Sequence, residues 1–255
     1  MPLELVTVPC LADNYAYLVH DAETGQTAVI DVPEPGPILG ALNAHQWRLT
    51  DILITHHHDD HIQGVEALRT QTGAMVLGAA ADAHRLPRLD LALDESTSFS
   101  VGREMVRVID VPGHTIGHVA FHFPDSQLAF TADSLMAGGC GRLFEGTARQ
   151  MHASLAKLAA LPPETLICSG HEYTATNLRF AATLEPGNPA LISRIAEVAE
   201  KRAHGRPTVP VPLRTELETN PYLRAHLPAL KAAVGLPDAD DVTVFAEIRA
   251  RKDKF

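Results

Sequence analysis

Hydrophobic and polar positions alternate with a period of two over residues 3–8, 15–20 and 27–32, which predicts three strands. Leu11-Ala12-Asp13-Asn14 reads as the turn between the first two. Pro33, Pro35 and Pro37 crowd the next stretch and predict a loop, because interior strands and helices exclude such a density. A short helix over 37–47, a strand over 51–55, a helix over 62–71 and a strand over 74–79 come next. Residues 98–111 return to strand patterning, and 118–123 with 127–132 predict a hairpin around Pro124-Asp125-Ser126. A Gly-rich loop at 138–141 precedes a helix over 148–160 and a last apolar strand over 165–169. Beyond Tyr173 the period changes. Residues 175–184, 189–204, 228–234 and 241–252 predict helices, with a connection rich in proline (Pro207, Pro210, Pro212) among them. The expectation is an α/β domain over residues 1–173 and a small, all-helical C-terminal domain over 174–255.

Composition narrows the class. With 255 residues, 45% hydrophobic and 20% charged, the chain can bury a sizeable core. A net charge of −10 argues against a broad electrostatic footprint on nucleic acid or an anionic membrane, while leaving room for a local basic pocket. Cys10, Cys140 and Cys168 are odd in number and lack CxxC spacing, so neither a disulfide framework nor a thiolate metal site is indicated. The N-terminus has no basic and apolar leader pattern, and no apolar stretch reaches spanning length. A reduced, cytoplasmic protein is the expectation.

The chemistry concentrates after the strand at 51–55, where every position from His56 to Asp60 and on to His61 is histidine or aspartate. The pattern H-x-H-x-D-H supplies His56, His58, Asp60 and His61, residue types that bind transition metals through neutral imidazole or carboxylate. His57 and Asp59 alternate with them and point elsewhere, toward a supporting role behind the ligands or toward solvent. His114, Asp133 and His171 recur in the same setting, just past a strand end, where side chains of an α/β sheet tend to converge. One of these alone would read as structural; together with the first cluster they read as ligands. Seven donors exceed the three that one catalytic zinc usually takes, and suit two ions if one carboxylate bridges. Two such ions would share a hydroxide, a nucleophile at neutral pH. The small net positive charge left over favours an oxyanion developing on a polarised carbonyl. His118 and His122 read as packing or hydrogen-bonding residues, and His20, His45, His84, His152, His204 and His226 as surface residues. Ser134 and Ser169 have no base spaced to activate them, so serine catalysis is not expected.

The motifs T-H-x-H-x-D-H, P-G-H-T-x-G-H, T-x-D and G-H-E-Y resemble the metallo-β-lactamase superfamily and, more narrowly, its glyoxalase II (hydroxyacylglutathione hydrolase) branch. Asp31-Val32-Pro33-Glu34, Gly141-Arg142-Leu143-Phe144-Glu145-Gly146, Glu218-Thr219-Asn220-Pro221-Tyr222-Leu223-Arg224 and the tail around Arg249 carry the narrower likeness, which spans nearly the whole chain. The resemblance implies an αββα sandwich followed by a helical domain. It implies a binuclear site, zinc in the first place with iron or manganese tolerated. His56, His58 and His114 would hold one ion, and Asp60, His61 and His171 the other, with Asp133 bridging. The implied reaction is hydrolysis of S-D-lactoylglutathione to D-lactate and glutathione. The implied thiol-binding group is Arg142, Phe144, Tyr173, Arg249 and Lys252. Arg142 and Phe144 stand where many members carry lysine and tyrosine, which keeps the charge with another geometry and the ring without its hydroxyl.

Two further readings remain beside this one. Arg249 and Lys252 lie three apart on one helical face, which suits a glutathione carboxylate and equally suits a solvated helix end favoured by the macrodipole. The overall alternatives are a persulfide dioxygenase-like oxidoreductase of the same fold, or a non-catalytic metal-binding protein; the intact ligand set and the tail argue against both. A glutathione thioester as the small-molecule partner, no nucleic acid, no membrane and a monomeric chain complete the expectation.

Overall fold

In the computed structural model, residues 2–255 are described, and they divide into two compact units. One comprises the chain through Asp110 together with Thr115–Thr131. The other comprises Val111–His114 and Ala132–Phe255.

The first unit is built on a six-stranded sheet of β1 (Glu4–Cys10), β2 (Asn14–His20), β3 (Thr27–Ile30), β4 (Asp51–Ile54), β5 (Met75–Ala79) and β6 (Leu91–Leu93), neighbours in that order. The β1–β2–β3 pairs are antiparallel and the β3–β4–β5–β6 pairs parallel. The change of direction follows from the connections: a short turn joins β1 to β2, whereas helix α1 (Pro35–His45) crosses from β3 to β4. Strands β3 and β4 are buried along their whole length, which is why TAVI and DILI read as apolar runs. On one face Leu18, Val29, Ile52 and Ile54 pack with Ile38 and Leu42 of α1 and with Leu68 of α3 (Val65–Thr72). On the other, the Tyr17 ring meets Phe130 at 5.5 Å, from the sheet β7 (Phe99–Val101), β8 (Glu104–Asp110), β9 (Val119–Phe123) and β10 (Leu128–Ala132).

Three local expectations change. Pro35 and Pro37 lie inside the first turn of α1, not in a loop. The first-turn N–H groups of a helix lack partners in any case, so proline costs nothing there. The helix expected over 62–71 divides into α2 (Asp59–Ile62) and α3 at Gln63-Gly64, where Gly64 lies so close to Val32 that a Cβ would stand 2.7 Å from its Cγ1. Strand β6 is too short for its alternation to register in the sequence.

The second unit holds a small hairpin, β11 (Leu135–Met136) with β12 (Gly139–Cys140), where a loop was expected. Helix α4 (Ala148–Ala159) starts on a capping box between Thr147 and Gln150. Strand β13 (Leu166–Ser169) pairs antiparallel with β14 (Val211–Pro212), a strand that appears within the proline-rich connection. Around it lie α5 (Thr174–Leu184), α6 (Pro189–Ala203), α7 (Leu213–Thr219), α8 (Pro228–Ala233) and α9 (Asp241–Lys254). Leu178 and Ala181 of α5 pack on Leu191 and Val198 of α6. Arg194 and Glu216, both buried, form an ion pair, and Arg194 also donates to Thr219 Oγ1 at 2.6 Å. Among the described residues, no helix is long and apolar enough to cross a membrane.

Candidate metal centre

In the first unit, the chain leaves β4 through Thr55, whose N and Oγ1 donate to Asp31 Oδ1 and Oδ2 at 2.9 and 2.8 Å. Asp31 sits at the end of the neighbouring parallel strand with φ of 58°, a strained conformation for a residue with a Cβ. Its Oδ2 also accepts from His61 Nδ1 at 2.8 Å. Because the Thr55 hydroxyl proton goes to Asp31, Thr55 Oγ1 must accept from His56 Nδ1, 3.0 Å away. The protons of both rings are therefore on Nδ1, and Nε2 of His56 and of His61 carries the lone pair. Asp31, His56 and His61 bring ligand atoms within 4.8 Å of one another, all buried. Asp60 Oδ2 stands 3.7 Å from His61 Nε2 and is held by Asn14 Nδ2 at 3.0 Å. His58 meets the His56 ring edge-on at 4.8 Å, and His118 stacks on it at 4.6 Å.

His57 is turned into a different network: its Nδ1 donates to Asp82 Oδ2 at 3.1 Å, and Arg85 Nη1 donates to its Nε2 at 3.3 Å. With both ring nitrogens engaged, His57 supports the loop. Asp59 is exposed, as the alternation predicts. His20 departs from expectation. It is buried, bonded to Thr27 Oγ1 at 2.8 Å, and stacked on Trp47 at 4.3 Å.

In the second unit, His114, Asp133 and His171 come together. Asp133 Oδ2 lies 3.4 Å from His114 Nε2 and 3.3 Å from His171 Nε2. Those separations match the ~3.3–3.4 Å edge of a tetrahedron whose corners lie ~2.0–2.1 Å from a central zinc. His114 Nδ1 donates to the Arg142 carbonyl at 2.9 Å, so here too the lone pair is on Nε2. Gly141 makes this approach possible: a Cβ there would stand 1.9 Å from the Asp133 carbonyl oxygen. Tyr173 stacks on His171 at 4.7 Å with planes 4° apart, and Phe144, largely exposed, presents itself edge-on to His114 at 5.2 Å. The donor chemistry of both units, neutral imidazole and carboxylate with each assigned proton directed away from Nε2, fits a transition metal.

The expected thiol-binding cations divide. Arg142 is exposed and Lys252 half-buried. Burial, reinforced by the charges of Arg249, Arg179 and Arg142, brings the Lys252 ammonium down to about 8. Lys252 Nζ lies 3.4 Å from the Thr176 carbonyl, and Arg179 donates to Thr176 Oγ1 at 3.0 Å. Arg249 is buried, not solvated: Nη1 donates to the Cys140 carbonyl at 3.0 Å while Nε and Nη2 clasp Asp253 Oδ1 at 3.0 and 2.7 Å. Sequence pattern does not single out Asp31, Thr55, Asp82, Arg85 or Arg179 as site residues. Asp31 had a usable signal, since it ends the strand parallel to the one that delivers His56. Arg179 had none.

Residues 13–171 match the metallo-beta-lactamase superfamily and residues 172–255 match the hydroxyacylglutathione hydrolase C-terminus. Proteins named hydroxyacylglutathione hydrolase from Cereibacter sphaeroides and Ruegeria pomeroyi are 68% and 58% identical, each over the full length of both chains. Among solved structures, BLEG-1 B3 metallo-beta-lactamase superposes with a TM-score of 0.67 at 20% identity, covering 86% of this chain and 99% of its own. TTHA1623, solved in a di-iron-bound form, does so with a TM-score of 0.56 at 30% identity, covering 66% and 91%. The chain belongs to the hydroxyacylglutathione hydrolase family, with the metallo-β-lactamase fold followed by that family's helical C-terminus.

Proposed function

We propose that this enzyme hydrolyses S-(2-hydroxyacyl)glutathione thioesters, S-D-lactoylglutathione above all, to the hydroxy acid and glutathione, as the second step of methylglyoxal detoxification. The observation that carries the reading is the hydrogen bonding of the imidazoles. His56, His61 and His114 each commit Nδ1 to an acceptor and so offer Nε2. In this reading His56, His58 and His114 would hold one divalent ion and Asp60, His61 and His171 a second, with Asp133 available to both. Zinc is the first choice, with iron or manganese possible, and the di-iron form of TTHA1623 supports a pair. When bound, the ions supply Lewis acidity and a water acidic enough to react at neutral pH.

The chain's own residues do the rest. Asp133, Asp60 and His61 orient the water, with Asp60 itself steadied by Asn14. The leaving group is a thiolate whose conjugate acid has a pKa of ~8.5, so it departs without a dedicated general acid. Phe144 and Tyr173, against His114 and His171, provide apolar surface for the thioester arm. Arg142 and Lys252 supply positive charge for the carboxylates of the peptide portion, and Arg249 contributes from beneath. Residues 1–173 form the catalytic domain and 174–255 the substrate-binding domain in this scheme. The net charge of −10 supports a substrate that is a small molecule and not nucleic acid or membrane. The three cysteines are free and buried, in keeping with a reduced cytoplasm, and we take one chain as the working unit.

The direct test is loss of thioester absorbance on incubation with S-D-lactoylglutathione, alongside metal analysis, expected to give about two ions per chain. His58→Ala or Asp133→Ala is expected to abolish turnover. Absence of turnover by metal-loaded protein, or oxygen consumption with glutathione persulfide, would overturn the assignment.

A further inference from the structure

We propose that Arg249 is a positioning residue for the metal ligand His114, acting through the backbone of residues 140–142. The inference rests on the reading of His114 as a ligand and adds a role for Arg249 that a substrate contact does not describe.

The Gly-rich hairpin is suspended from side chains of the later helices. Asn220 Nδ2 donates to the carbonyls of Met136 and Gly139 at 3.2 and 2.9 Å, and Asn177 Nδ2 to that of Ala137 at 3.1 Å. Glu216 Oε2 accepts from Gly138 N at 2.8 Å. Arg249 closes this series of side-chain contacts at the Cys140 carbonyl. Asp253 fixes the guanidinium by taking Nε and Nη2, which leaves Nη1 aimed at that carbonyl.

The backbone just past Cys140 has little slack. Gly141 N donates to Ser134 O at 3.2 Å, and the Gly141 Cα lies so near Asp133 that no Cβ fits. Two residues on from Cys140, the Arg142 carbonyl is the acceptor for His114 Nδ1. A displacement at Cys140 therefore moves the atom that fixes the tautomer and the orientation of His114. Partners of this kind behind a metal-ligating histidine govern metal affinity. Since α9 also carries Lys252, one side chain ties the helix that bears a substrate cation to Cys140, two residues before the carbonyl that orients a ligand.

Zinc affinity of the full-length protein, measured by competition with a chelating dye, tests this. Arg249→Ala is expected to bind zinc about tenfold more weakly, and Arg249→Lys, which keeps a donor but loses the fork, by a smaller factor. Lys252→Ala is expected to keep wild-type zinc affinity and to raise KM for the thioester. Unchanged zinc affinity in Arg249→Ala, with only KM or thermal stability altered, would overturn the inference. Should Arg249→Ala not fold, unchanged affinity in Arg249→Lys would do the same. A wild-type chain that takes up no zinc, iron or manganese would instead remove the metal reading, and the inference with it.

Discussion

At the scale of single residues, Asp31 shows how much a metal site depends on side chains that touch no metal. Its carboxylate receives three hydrogen bonds, from Thr55 N, Thr55 Oγ1 and His61 Nδ1. An amide has one acceptor oxygen and a donor in place of the other, so Asp31→Asn must turn an N–H toward a group that is itself a donor. The expected result is a metal affinity reduced ~10–100-fold with the protein still folded, read by chelator competition and circular dichroism. Lys252 makes a prediction in pH. Its ammonium is brought down to about 8, so it is charged below that pH and neutral above it. For a base with a lowered pKa, the unfolded chain binds the extra proton between about 8 and 10.5, so this residue's contribution to stability rises with pH across that window. Binding has the opposite sense, because a substrate carboxylate needs the charged form. The expected profile of kcat/KM falls on the alkaline side with a midpoint near pH 8, and Lys252→Arg removes that limb because its guanidinium stays protonated. A limb unchanged in Lys252→Arg would assign it to another group.

At the scale of elements, the site is a matter of where strands and hairpins stop. Strand β4 ends at Ile54 and β13 at Ser169, and the chain turns immediately into His56 and His171. Period-two alternation and strand ends are local properties, so these deliveries could be read from the sequence. The hairpin β11–β12 could not, since its glycines carry no side-chain pattern and its shape is set by Glu216, Asn220, Asn177 and Arg249 far along the chain. Glu216 is the centre of that support, with Arg194, Gly138 N and Asn220 Nδ2 all donating to it in a fully buried place. Glu216→Ala strands the Arg194 guanidinium without its partner, at an expected cost of ~3–5 kcal/mol. A lowered urea midpoint at unchanged m would record it, and a shift of less than ~1 kcal/mol would show that the pair is solvated.

At the scale of the whole molecule, metal occupancy and stability are linked, because a ligand that binds only the folded chain shifts unfolding by mass action. Stripping the metals by dialysis against a chelator is expected to lower Tm by about 10 °C, equivalent to ~4 kcal/mol for metal at a thousandfold over its Kd, with zinc restoring it. An unchanged Tm would mean that the folded chain does not bind the metals in preference to the unfolded one, and would count against the metal reading. By itself the sequence determined the strand–helix order, the seven candidate ligands and the family, because residue type, short spacing and alternation are local. Only the tertiary structure decided which nitrogen of His56, His61 and His114 carries the proton, that His57 faces Asp82 and Arg85, that Arg179 lies beside Lys252, and that Arg249 is buried against Cys140. Each of those depends on groups many residues apart meeting at hydrogen-bonding or charge-sensing distance. Local pattern carries no record of such meetings, and packing alone brings them about.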